Sequence, residues 1–536
     1  MRFVRHILML LAFLFSGLAS TLTSTFASPR DVIDNLAAQG VQVIEWRGVT
    51  VDLNKLLPIY ASPDAELIFI SGNKLSPTGA EFIVALGKAR EDGLDPKDYI
   101  SPAFGSLNRL TGDDDAAGAE LALAQGFLRY ARDLYTGRPT PSLDVTNIVI
   151  DKKSVDPVKW LNYLSTNGIS DTVRALRPRH PQYAKLRQML SSFRSYQSLG
   201  GWDPIPAGPT LKPGMNDLRV AALRDSLASR GYKSLTGGDP NAFDARLTEA
   251  VKRYQRASGI EPDGIVGKGT IGILNVPVDE RIRQIVVNME RWRWLPTDLG
   301  KRHVFVNQAG AELFLIDKGK VVDNRRVIVG KPFHQTPMFS DRISYVEFNP
   351  TWTVSASIAK DEFLPKLIKD PGYLERNDYK IYSSWAEGAG EMDPWTVDWS
   401  SVKGGFPYRI VQQPGDKNAL GYVKFMFPNK FNIYLHDTPS RQLFASTGRA
   451  FSHGCIRVHE ALDFAEKLMG LDQGMSRDQI DATVAYGALK RVNLKTKVPV
   501  HLAYFTVWIG DDGVVQFFPD IYSRDAPVAG ILFGQT

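Results

Sequence analysis

Tyr434-Leu435-His436-Asp437 and, after residues 437–451, Ser452-His453-Gly454-Cys455-Ile456-Arg457 decide how this chain is read. Cys455 is the only cysteine among 536 residues, so it has no intrachain disulfide partner. Attack of a thiol on a carbonyl needs a base within hydrogen-bond reach and donors for the oxyanion. A histidine upstream, a histidine two residues before the sulfur and a glycine beside it supply those elements. The pattern marks Cys455 as a candidate nucleophile.

The runs around this segment are short, apolar or alternating, and cut by turns: Val304-Phe305-Val306, Glu312 to Ile316, Arg326 to Val329, Tyr345 to Phe348, Tyr422 to Phe427 and Asn432 to Leu435. Their period of two predicts a small β sandwich or barrel. Leu462, Ala465, Leu468 and Met469 predict a packed helix after Cys455, and Val498 to Tyr504, Val507 to Ile509 and Val514 to Phe518 predict further strands. Between about 360 and 407 the strand pattern lapses into a segment rich in proline and glycine, with Trp385, Trp395 and Trp399. A long insertion of that composition reads as a lid beside the site.

Upstream, Ile282, Ile285, Val286 and Met289 form one apolar stripe, extended by Trp292 and Trp294, which predicts a linker helix over 277–300. Residues 210–276 read as three small helices around Val220, Leu223, Leu227, Leu247, Val251 and Tyr254, with a turn at Gly264. Residues 28–205 read as a mainly helical scaffold; one helix carries Leu121, Ala124, Phe127, Leu128 and Ala131 and stops at Gly137 and Pro139. Asp113-Asp114-Asp115 lacks the alternating ligands of a calcium loop and reads as a solvated helix entry. Met1 to Ala27 has a basic start, an apolar run from Ile7 to Phe15 and small residues at Thr25-Phe26-Ala27, the pattern of an export signal. If Ser16 to Leu22 extends the run, an uncleaved membrane anchor is the alternative. The fold class expected is multidomain α+β. Its parts are a helical scaffold, a three-helix module, a sandwich-like catalytic domain over 301–505 with the insertion, and C-terminal strands and tail over 506–536.

The catalytic segment resembles the L,D-transpeptidases with a YkuD-type catalytic domain, in particular the large multidomain periplasmic branch of Gram-negative bacteria. The family pattern of a histidine followed by Ser/Thr-His-Gly-Cys stands here as His436 and Ser452-His453-Gly454-Cys455, with Arg457 just beyond. The match extends through Gln413-Pro414-Gly415, Asn418 to Gly421, Phe427-Pro428-Asn429 and Ile433 to Pro439. Ala250 to Gln255 and Asp263 to Gly267 resemble a helical peptidoglycan-binding domain, and Asn288 to Pro296 resembles the linker of the large branch. Val354-Ser355 departs from the family, where a proline commonly follows the valine.

The resemblance implies transfer of a peptidoglycan stem peptide. Cys455 attacks the carbonyl of the L-centre of a diamino acid in a tetrapeptide stem, D-alanine leaves, and the amine of a second stem resolves the thioester into a 3→3 cross-link. His436 is the implied base, oriented by the backbone carbonyl of Asp437. His453 lines the site, and the N–H groups of His453, Gly454 and Cys455 are the implied oxyanion donors. Arg457 suits a stem carboxylate or a loop-holding salt bridge. Ser452, Tyr422 and Tyr434 are further substrate-binding candidates. The implied partners are donor and acceptor stems and carbapenem-type β-lactams, with no cofactor or metal.

The rival acceptors are a lysine of an outer-membrane protein and water. A metal peptidase lacks its motif, since His436 and His453 are not in His-Glu-x-x-His. A wall-binding scaffold without activity leaves both histidines and the thiol unused. A net charge of +6 without a Lys/Arg block gives no sign of nucleic-acid binding.

Overall fold

A computed structural model describes residues 28–61, 65–138, 147–151, 153–233, 235 and 237–534. The export-signal reading of residues 1–27 lies outside the described residues. Among the described residues no helix is long and apolar enough to cross a membrane.

The chain forms two compact units. The smaller holds 28–84, 99–128 and 157–169. In it Glu120 is fully buried and accepts hydrogen bonds from the Tyr60 hydroxyl and from the backbone N–H groups of Ile68, Phe69 and Ile70. That ring of donors offsets the cost of burying a carboxylate and fixes the 68–70 segment beside Phe82 and Phe127. Asp115, expected to be solvated, instead accepts from the Trp46 indole at 2.8 Å and pairs with Arg47. The expected 28–205 scaffold is divided, because 85–98, 129–156 and everything from 170 onward group with the larger unit.

In the larger unit nine strands make one mixed sheet. Strand Lys320–Gly330 pairs through Lys320 to Arg326 with Glu312–Asp317, and through Val327 and Ile328 with Ile456–Val458. The hydrogen-bonded order therefore returns on itself, with one bent strand serving both halves of a sandwich-like barrel. Val327, Leu313, Val346, Phe425, Leu435 and Ile456 fill the interior, and helix Ala461–Gln473 covers it with Phe464 and Leu468. Each such side chain contributes about 1.5–3 kcal/mol when fully buried.

The insertion is a small domain in its own right. Trp352–Thr353, Tyr379–Tyr382, Glu391–Met392 and Arg409–Gln412 form a four-stranded sheet over a separate core of Val354, Phe363, Leu367, Ile381, Trp399 and Ile410. The segment is thus wider than 360–407 and contains strands, which alternation alone did not reveal because they run for only two to four residues. Trp399 is buried within it, while Trp385 and Trp395 are 42% and 60% exposed.

Helix Val278–Trp294 departs from the one-stripe reading. It is buried on nearly every side, with Arg281, Arg291 and Arg293 among the buried residues. Arg293 pairs with Glu290 at 2.6 Å, and Arg291 pairs with Asp525 of the C-terminal helix Asp525–Phe533 at 2.6 Å. Trp292 is stacked between His180 and Phe505 at 4.2 Å from each. The helix is a core element in which Arg291 and Arg293 are paired with carboxylates, while buried Arg281 donates to Gln284 and the Ile273 carbonyl. Arg219–Ala228, Ala245–Ala257 and Lys268–Leu274 supply the helices of the 210–276 module, packed around Leu223, Val251 and Val266.

Candidate active site

Strand register assembles the site. Leu435–His436 and Ile456–Val458 run parallel with His436 opposite Arg457, while Lys424 faces His436 on one side and Glu347 on the other. Arg491 faces Glu347 in turn. Directly paired residues point to the same face of a sheet, so Arg491, Glu347, Lys424, His436 and Arg457 form a polar row across five strands. Tyr434 and Cys455, each two residues from a member of the row, share that face.

The Cys455 thiol is partly exposed, and its sulfur lies 3.6 Å from the carbonyl oxygen of Asn432. Burial pushes its pKa above the ordinary thiol value, against the opposing pull of Tyr434, Lys424 and Arg457. Tyr434 lies beneath Lys424, whose Nζ sits 4.1 Å from the ring centroid, and Glu347 holds the ammonium at 3.8 Å. Burial lowers the pKa of Lys424, countered by Glu347 and the thiol. The resting state is therefore a protonated thiol in a cationic pocket, which needs a base when it reacts.

His436 is buried, and Nδ1 lies 2.5 Å from the backbone carbonyl of Asp437. Burial, with Arg457 and Lys424 nearby, lowers its pKa to about 3. A neutral ring that donates Nδ1–H to a carbonyl keeps the lone pair on Nε2, the tautomer a general base requires. The Asp437 carboxylate does a different job: it accepts from the Tyr422 N–H at 3.0 Å. Gly421 has φ +60 there, and a Cβ would lie 2.3 Å from that carboxylate, so glycine is required.

The 452–455 loop is held from below. Gly454 has φ +112, its N–H donates to Ser452 Oγ at 3.1 Å, and its carbonyl accepts from Thr336 Oγ1 at 2.7 Å. Ser452 Oγ also donates to the Cys455 carbonyl. Gly454 was expected as an oxyanion donor, but its N–H is already engaged. Among the described residues only the His453 and Cys455 N–H groups of this turn lack a protein acceptor. Ser452, expected at the substrate, is 1% exposed and ties the loop together instead.

The remaining sequence candidates separate. Tyr434 and Arg457 join the thiol, whereas the Tyr422 hydroxyl is taken by Asp416. Among the described residues Arg457 forms no ion pair, and its buried Nε has no partner. His453 points its Nε2 to Glu362 of the insertion at 2.7 Å and its ring to His334 at 4.6 Å. Lys424, Glu347, Thr336 and Glu362 went unassigned in the sequence. The alternation of Tyr422 with Lys424 carried a trace of the first, but the others depend on register and loop contacts. Among the described residues no group of three or more His, Cys, Asp or Glu side chains is disposed to hold a metal ion.

Comparison with known proteins finds matches along three parts of the chain. Residues 301–500 match the L,D-transpeptidase catalytic domain, 54–190 a scaffold domain and 216–274 a putative peptidoglycan-binding domain. A putative L,D-transpeptidase of Haemophilus influenzae is 33% identical over 246 residues, which cover 46% of this chain and 49% of the relative. The chain thus spans about half the length of that relative. Two solved L,D-transpeptidase structures also match. That from Xylanimonas cellulosilytica has 16% identity, a TM-score of 0.18, and coverage of 55% of this chain and 98% of its own. That from Stackebrandtia nassauensis has 14% identity, a TM-score of 0.19, and coverage of 55% and 97%. Likeness of that size carries no structural argument. The sequence matches thus put a YkuD-type L,D-transpeptidase catalytic domain and a putative peptidoglycan-binding domain in one chain.

Proposed function

We propose that the chain is a cysteine-dependent L,D-transpeptidase that forms 3→3 cross-links between peptidoglycan stems in the periplasm. The observation that carries the reading is the shared face of Cys455, His436 and Arg457, with Nδ1 of His436 committed to the Asp437 carbonyl. The thiol gives its proton to His436 Nε2 as sulfur attacks the carbonyl carbon at the L-centre of the diamino acid. The N–H groups of His453 and Cys455 hold the oxyanion. Collapse of the tetrahedral adduct breaks the peptide bond, and the departing D-alanine amine takes the proton from His436. The side-chain amine of a second stem then attacks the thioester, gives its proton to His436 and releases the sulfur, which recovers that proton.

Arg457 holds a stem carboxylate in this reading; its unpaired guanidinium favours that role over a structural salt bridge. The 210–276 module binds the wall, the insertion serves as a lid, and carbapenems acylate Cys455 as activated donors. The N-terminal segment directs export, with or without cleavage.

The test is incubation with purified tetrapeptide muropeptides, with the products read by mass spectrometry. Dimers and free D-alanine are expected from the native chain and neither from Cys455→Ala. Trimmed monomers alone indicate water as acceptor, and undiminished dimers from Cys455→Ala overturn the reading.

A further inference from the structure

The insertion reaches the nucleophile's loop through a polar contact between Glu362 and His453. Glu362 lies on a π-helical turn, Ala359–Phe363, and its Oε1 is 2.7 Å from Nε2 of His453. The turn is anchored from behind: Phe363 is buried in the insertion's core, with its ring 5.1 Å from that of Tyr379. That packing fixes the turn from which the carboxylate extends, and the carboxylate is itself 44% exposed. π turns of this kind are frequent at functional sites.

His453 immediately precedes the glycine turn that carries Cys455. Ser452 and Thr336 fasten that turn from below, but they leave the imidazole of His453 free to rotate about its own side-chain bonds. Glu362 supplies the fastening from above. We propose that Glu362 is a positioning residue: by accepting the Nε2–H of His453 it fixes that ring and, through it, the backbone N–H groups that meet the reacting carbonyl. The insertion is then part of the catalytic geometry as well as a cover. The groups facing His453 are Glu362 from the insertion and His334 and Lys331 from the 331–337 loop. Burial, His334 and Lys331 lower its pKa while Glu362 opposes them.

This inference rests on Cys455 as nucleophile, and the experiment separates the two. Release of D-alanine from tetrapeptide muropeptide is measured for the native chain, Cys455→Ala, Glu362→Ala, Glu362→Gln, His453→Asn and the Glu362→Ala/His453→Asn double variant. Glu362→Ala is expected to lower kcat about tenfold with KM little changed, the scale of one charge-assisted hydrogen bond. Glu362→Gln, which keeps an acceptor oxygen, recovers part of that loss. The double variant falls no further than His453→Asn alone, because the two residues act as one unit. With histidine-selective ¹³C labelling, the titration of His453 moves to lower pH in Glu362→Gln, since the carboxylate no longer favours the protonated ring. A native kcat in Glu362→Ala, a change in KM alone, additive losses in the double variant, or an unmoved His453 titration would each overturn the proposal while Cys455→Ala remains dead. Activity in Cys455→Ala overturns the functional reading on which it rests.

Discussion

His436 and Arg457 are direct register partners across two parallel strands, so a neutral imidazole and an unpaired guanidinium share the face that carries the Cys455 thiol. The pairing has an electrostatic consequence. Arg457 and Lys424 both favour the thiolate, and both disfavour a proton on His436. The pocket therefore stabilises the anion that forms at sulfur while the imidazole remains ready to accept a proton.

Removing either cation leaves burial to dominate at sulfur. In Lys424→Met and Arg457→Gln the Cys455 pKa rises further, so the pH midpoint for alkylation by iodoacetamide moves upward relative to the native chain. The fold persists, because neither residue carries the sheet's hydrogen bonds through its side chain. A midpoint unchanged or lowered in both variants contradicts the assignment of these two groups to the thiol.

Gly330 offers a test of the loop's support. A Cβ there would lie 2.0 Å from the His334 carbonyl oxygen, 2.9 Å from the Thr336 nitrogen and 3.1 Å from the Gly454 Cα. All three are backbone atoms that cannot rotate away. The Gly330 carbonyl also accepts from the Tyr522 hydroxyl at 2.7 Å, which ties the C-terminal segment to the same spot. Gly330→Ala is expected to cost about 1–3 kcal/mol of stability, the usual scale of overpacking, and to slow acylation by displacing Gly454. Calorimetry together with D-alanine release checks both, and a native melting temperature with native turnover refutes the close approach.

Much of this site was legible in the sequence because its residues are close along the chain. His436, His453 and Cys455 lie in one motif, and the strands around them alternate strongly. What alternation cannot give is register. Lys424 and Glu347 enter the site only because their strands align with Leu435–His436, and a shift of one residue would have turned both away. Helix Val278–Trp294 was misread for a related reason: its charged residues look solvent-facing until Asp525 and Glu290 are seen to meet them. The insertion's sheet was missed because its strands are too short to show a period.

Acid stability follows from histidines kept neutral in the interior. Burial lowers His436 and His180 to about 3, and His501 to about 4. Burial is the cause at each ring, and the carbonyl hydrogen bonds of His436 and His501 work against it. His180 Nδ1 accepts the Gln182 N–H at 3.2 Å, capping helix Pro181–Ser198, and a proton there would abolish the cap. His501 sits between Ser340 Oγ at 2.8 Å and the Leu299 carbonyl at 3.0 Å, while His436 has its single carbonyl partner. The unfolded chain takes up protons on these rings below about pH 6.5, and the folded chain does not. Unfolding free energy is therefore level above that pH and falls as pH drops toward the folded values, by about 1.4 kcal/mol per pH unit for each histidine within its window. Urea midpoints measured between pH 7.5 and 4.5 are expected to decline below pH 6.5. His180→Asn, which keeps a capping oxygen and cannot take up the proton, flattens that slope; an equal slope in the variant would remove His180 from the account.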